Sequence, residues 1–308
     1  MSSPVVIITA VESAFGLLLN GTNFYLVLSR GRRAYHYLFA ALLSTYFIWD
    51  LCVFLSMIRN EHINELPIYG HITIIPGAII QTLIYHFTVA YLQKPIKWSI
   101  ALVWIVSILV VVLIPLGVLY RINGVHSYSW GNIFAVEGSP FDFTVFAMWF
   151  GMILPACWFL YRHSKTCRSV LERRHARYIA AGFLVTAFAV VKVLVVMGID
   201  APLLLPLGMF LVDVFAVIIG LAIIKEKLFD VTVIIKKGTL YSLLAAILLF
   251  VFSFSEHVLI TYFGKLIGGH SEIIHLLSIA VGIAVLMPFK HRIEHAVAKY
   301  FSQKKLEF

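Results

Sequence analysis

Glu12, Asp50, His86, Lys192, Asp213, Glu256 and His257 stand inside long apolar runs, and His275 stands at the edge of another. A charge held in hydrocarbon is costly, so such a residue faces a protein interior and marks a site by default. At about 1.5 Å of rise per residue, Asp50, Lys192 and Glu256 fall roughly 20–25 Å above the inner ends of their runs. Glu12 falls in the same outer layer and Asp213 near the middle. Charges at similar depth on separate helices predict a shared polar pocket that opens outward. Lys192 is the lone base of the set. Its expected partner is Asp213 or Asp50, and its ammonium could also hold the anionic head group of a ligand. The competing expectation is a structural ion pair, with Glu12 and Glu256 reaching the outer surface or staying protonated.

Other residues with chemical potential carry less. Trp130, in the loop Tyr120 to Pro140 with Tyr128, Gly131 and Phe134, reads either as part of a ligand-gripping lid or as an interfacial aromatic belt. His291-Arg-Ile-Glu-His295 spells the motif of inverted zinc peptidases, but it lies on a basic surface helix with no pocket to shield a metal-bound water. Cys52, Cys157 and Cys167 give neither a disulfide framework nor metal-ligand spacing. No metal, cofactor or catalytic residue is expected. Asn20-Gly-Thr22 spells a glycosylation acceptor inside an apolar run, where Asn20 and Asn23 are better employed in bonds between helices.

The elements that must position these residues are membrane spans. Of 308 residues, 61% are hydrophobic and 13% charged, against about 25% charge in a soluble domain. The runs approach or exceed the roughly 20 residues that cross a bilayer. They predict an all-α bundle of about nine spans, near 5–28, 35–57, 72–92, 98–119, 141–160, 178–197, 203–224, 240–260 and 273–287. Nearly all loop cations fall on one side, among them Arg30, Arg32, Arg33, Lys94, Lys97 and the run from Arg162 to Arg177. The other side has only Arg59, Arg121 and Lys265. That asymmetry predicts the N-terminus outside and the C-terminus in the cytoplasm of an inner-membrane protein, as an odd span count requires. The net charge of +9 is therefore a topology signal and not a nucleic-acid footprint.

Lys225-Glu-Lys-Leu-Phe-Asp230 and the exit run Met287-Pro-Phe-Lys-His-Arg-Ile-Glu-His-Ala-Val-Ala-Lys-Tyr-Phe301 resemble segments of the seven-helix membrane sensor module of bacterial histidine kinases. Glu172-Arg-Arg-His-Ala-Arg-Tyr178 is a further, looser match. The resemblance implies a seven-helix sensor bundle over 1–224, a cytoplasmic seam over 225–237, a two-span unit over 238–288 and a basic amphipathic exit helix over 289–308. It implies a part in two-component signal transduction, with Leu228, Phe229 and Asp230 coupling bundle to output. The bland reading of Asp230 is a helix cap. Nothing like a phosphoacceptor helix or nucleotide segment follows Phe301, so kinase activity is not implied.

The expected function is a sensor that reads a ligand or membrane state in its outer half and passes a change of shape to the cytoplasmic face. Its expected partners are the anionic inner leaflet, met by the exit helix, and a cytoplasmic signalling protein or a second copy. A transporter or channel is the alternative, because charges near the midplane fit that class too. An intramembrane enzyme ranks last, since no nucleophile–base pair assembles.

Overall fold

The computed structural model describes residues 3–30, 33–94, 97–113, 116, 121–137 and 139–225, all within one compact unit spanning Met1–Val233. Eight helices and a hairpin follow in order: α1 (Pro4–Arg30), α2 (Ala34–Ile58), α3 (Leu66–Tyr91), α4 (Lys97–Leu113), β1 (Arg121–Tyr128), β2 (Gly131–Glu137), α5 (Ser139–Thr166), α6 (Val170–Phe188), α7 (Val193–Val196) and α8 (Leu204–Lys225). Short 3-10 turns precede α3 and join α6 to α7. Among the described residues, five stretches are long and apolar enough to cross a membrane: Pro4–Ser29, Ala34–Ile58, Ile63–Tyr91, Val170–Val196 and Leu204–Ile223. They match the first, second, third, sixth and seventh expected spans. The fourth is the shorter apolar helix Trp98–Leu113, and the fifth falls in the 28-residue α5. The eighth and ninth spans, Leu228, Phe229 and Asp230 of the seam, Glu256 and the exit helix lie outside the described residues.

The helices close a ring: α1 packs between α2 and α8, α2 on α3, α3 on α5, α5 on α6, and α6 on α8, with α4 laid against α3. Phe39, Tyr46, Phe87, Phe183 and Phe215 are fully buried along its axis. Small residues let the helices approach, as membrane bundles require in place of a hydrophobic drive. A Cβ on Gly182 would stand 3.0 Å from the Phe215 ring.

The outside of the ring is apolar. Trp98, Leu102, Ile105, Ile108 and Val112 of α4 are all more than half exposed. The inside is where polar groups collect, with Thr9, Ser13, Asn20, Asp50, Lys192 and Asp213 buried. This inversion is what a chain dissolved in hydrocarbon needs, since only the interior offers partners. Asn20 Nδ2 donates to Asp50 Oδ2 at 2.9 Å, and Asn23 Nδ2 donates to the Ala216 carbonyl at 2.8 Å. Both bonds join α1 to a neighbour, as the asparagines' place in an apolar run foretold.

The long loop departs from the all-helical expectation. Residues 121–137 form an antiparallel hairpin, with Val125 opposite Phe134 and Tyr128 opposite Gly131. Gly131 sits at φ +151°, and a Cβ there would meet Val6 at 2.7 Å, so the turn needs glycine both for its backbone and for its packing. The hairpin covers the ends of the bundle at which α1 and α3 begin and α2 and α7 finish.

Candidate functional site

Four helical segments bring the expected charges together. Glu12, Gly16 and Asn20 recur at four-residue spacing on α1, so they share one face. Asp50 comes from α2, Asp213 from α8, and Lys192 from the 3-10 turn Ala189–Lys192 that interrupts the α6–α7 span. Gly16 is the meeting point. A Cβ on it would stand 2.7 Å from Asp50 Oδ2 and 2.9 Å from Asp213 Oδ1, so only a bare backbone lets both carboxylates converge there. Gly208 does the same for the base, because a Cβ on it would stand 2.7 Å from Lys192 Cβ.

Lys192 is 6% exposed. Glu12, Asp50 and Asp213 all lie within its electrostatic field. What its Nζ touches is different: the face of the Trp49 ring, 3.5 Å from the centroid, and Met209 Sδ at 3.3 Å. The expected pairing with an acid is therefore one of shared field, and the direct contacts are cation–π and thioether. Glu12 Oε2, Asp50 Oδ1 and Asp213 Oδ1 are buried without a hydrogen-bond partner.

Beside this cluster lies a cavity of about 130 Å³. Trp49, Val53, Ala78, Met148, Val193 and Met209 supply much of its apolar wall, Lys192 and Gln81 bring polar ends, and Ile133 and Phe134 of β2 also line it. Pro76, which removes one helical hydrogen bond, precedes Gly77 and Ala78 on the wall. A Cβ on Gly77 would meet nothing within 4 Å.

The hairpin is bolted to the bundle. Asn60, just past α2, donates from Nδ2 to the Asn132 carbonyl at 2.5 Å and accepts from the Asn132 amide at 3.0 Å; Asn132 Nδ2 donates back to the Asn60 carbonyl at 3.0 Å. Tyr128 Oη donates to the Val195 carbonyl at 2.8 Å, and Trp130 Nε1 donates to Asp200 Oδ1 at 2.8 Å. Partial burial, with the Asp200 charge adding to it, raises the Tyr128 phenol above its ordinary range. Phe134 seats against Gly70, where a Cβ would be 2.6 Å from its ring.

Glu12, Asp50, Lys192 and Asp213 thus lie in one interior cluster among the described residues. Trp130 does not join them. It is 7% exposed and stacks on Tyr128 at 4.9 Å between ring centroids, as part of the hairpin's own packing. His86 accepts from Trp104 Nε1 at 3.1 Å, which ties α3 to α4. Trp49, Gln81 and Met209 escaped the sequence reading, whereas Phe134 was named there with the loop of Trp130. Gln81 carried a usable signal, being an amide inside an apolar run. Trp49 and Met209 carried none, since an aromatic or methionine in a span usually faces lipid or core.

The family described as the N-terminal 7TM region of histidine kinase matches residues 13–232, and the chain belongs to that family. No curated protein matches it.

Proposed function

We propose that this member of the histidine kinase 7TM family is a membrane sensor whose input is the Lys192 cluster and its adjoining cavity. The observation that carries the reading is Lys192's place on a 3-10 turn inside a span. Such a turn inside a longer helical span often marks a hinge. Its cation borders the cavity, while α8 carries both Met209, which it touches, and Asp213, which lies in its field. Filling the cavity would move the turn against α8, and α8 is stiff enough to carry that shift to Lys225. A sensor needs such a bistable element, with one packing favoured by the signal. In this reading the hairpin faces the outside, the seam beyond Lys225 faces the cytoplasm, and a separate partner or a further domain supplies the output.

Spin labels at Val170 and Leu221, both exposed on α6 and α8, test this after replacement of the native cysteines. Two distance populations are expected in the wild type and one in Lys192→Met. Identical single distributions would remove the hinge. The buried carboxylate oxygens without partners favour a second reading, transport of a cation or proton. Proteoliposome flux that requires Asp50 and Asp213 would decide for it.

A further inference from the structure

A ligand class can be read from what the cavity leaves unspent. Most of its polar atoms are already engaged. Ser56 Oγ donates to the Val53 carbonyl at 2.9 Å and Thr73 Oγ1 to the Tyr69 carbonyl at 2.6 Å. Trp149 Nε1 donates to the Ala187 carbonyl at 2.9 Å. Two of the groups that remain point to a ligand. Lys192 Nζ has three N–H donors and, among the described residues, its direct contacts are a ring face and a sulfur. Gln81, 3% exposed, has an Oε1 without a partner.

Charge count narrows the class further. An anionic head group was the expectation from sequence. Three carboxyl groups, on Glu12, Asp50 and Asp213, share the field of this one ammonium. One ionised carboxyl group among them is enough to compensate its charge before any ligand arrives. A further anion would then leave a net negative charge in a medium of low dielectric. A second cation beside Lys192 would meet the ammonium and the apolar wall. A neutral acceptor suffers neither penalty and satisfies N–H donors that have no oxygen. Size sets the other bound, since an apolar cavity of about 150 Å³ holds benzene.

We propose that the cavity binds a neutral molecule of about six heavy atoms, no bulkier than one six-membered ring, whose carbonyl oxygen accepts from Lys192 Nζ. Gln81 Oε1 would accept from a hydroxyl or amide N–H next to that carbonyl. The inference rests on the sensor reading for its meaning, but its test does not depend on any output.

Three probes of matched shape decide it: 3-methyl-2-butanone, 2,3-dimethylbutane and isobutyrate. Each is titrated calorimetrically into the full chain in lipid nanodiscs. Heats from Gly77→Phe, which fills the cavity from a position with open space, give the lipid-partition blank. The ketone is expected to bind about tenfold or more tightly than the other two, the usual worth of a hydrogen bond from a charged donor. Lys192→Met is expected to bring the ketone and the hydrocarbon within about twofold of each other. Should that variant fail to fold, the wild-type ranking still decides. Tightest binding by the carboxylate, equal binding of ketone and hydrocarbon, or no heat beyond the blank would each overturn the proposal. None of those results would alter the spin-label distances, so the sensor reading stands or falls separately.

Discussion

At the scale of single residues, two glycines test whether the charge cluster is as tightly built as it looks. A glycine in a helix costs about 0.5–1 kcal/mol relative to alanine, so Gly→Ala stabilises wherever nothing stands in the way. At Gly77 nothing stands within 4 Å, and Gly77→Ala should raise the detergent-solubilised melting temperature by a few degrees. At Gly16 the new methyl would press on Asp50 and Asp213. Asp50 is fully buried and its Oδ2 is held by Asn20, so it cannot swing aside freely. Overpacking of this kind costs about 1–3 kcal/mol, which exceeds the helix gain. Gly16→Ala should therefore melt earlier than wild type. A rise in both variants would show that the carboxylates yield easily and that the cluster is not a fixed site.

Among the elements, the hairpin invites the sharpest tests. Asn60→Ala removes two of the three bonds that hold Asn132, each worth about 0.5–1.5 kcal/mol net. Hydrogen exchange should then rise across Arg121–Glu137 and stay unchanged through α5 and α6. Uniform acceleration would mean that the hairpin is integral to the fold and does not act as a separable cover. Alkaline pH is expected to loosen the same element. The Tyr128 phenol titrates above its unfolded value of 10.0, so its stabilisation is complete below that pH and is lost as pH rises through the higher folded value. Ionisation also removes the donor to Val195. A fluorescence change at Trp130 above pH 10 that vanishes in Tyr128→Phe is the expected result; persistence in the variant would assign the change to another tyrosine.

The hairpin also shows what a chain's order of residues hides. Apolar length alone was enough to place the five long spans among the described residues, because the bilayer fixes how long a span must be. Intramembrane charge was enough to nominate Glu12, Asp50, Lys192 and Asp213, because burying them without purpose is too costly. No comparable constraint acts on Arg121–Glu137. Its strands alternate only loosely, and the marker of the turn, Gly131 after Trp130, reads equally as a loop. The direct contacts of Lys192 were hidden for a different reason. A carboxylate was the obvious neighbour by charge, yet the side chain that reached Nζ was the indole next to Asp50 in sequence, and helix geometry puts those two neighbours on different faces.

For the whole molecule the open physical question is which end meets the cytoplasm. In the described bundle the helices alternate, so the hairpin caps one end and the basic turns gather at the other. At that basic end Tyr35 packs edge-on against Tyr91, Lys94 lies 3.8 Å over the Phe159 ring, and the α5–α6 turn begins at Cys167. Lysines and arginines are retained on the cytoplasmic side during insertion, so the basic end should face inward and the hairpin outward. The chain offers its own reporter. Cys167 is partly exposed in that basic turn, whereas Cys52 is buried and Cys157 half-buried within helices. With Cys52 and Cys157 changed to alanine, an impermeant maleimide applied to intact cells should leave Cys167 unlabelled and react with it after permeabilisation. In a background that also lacks Cys167, a cysteine at Ser129, exposed at the hairpin tip, should react in intact cells. The opposite pattern would invert the bundle. The cavity, which Ile133 and Phe134 of the hairpin line, would then lie toward the cytoplasmic end, and the molecule it reads would be expected from inside the cell.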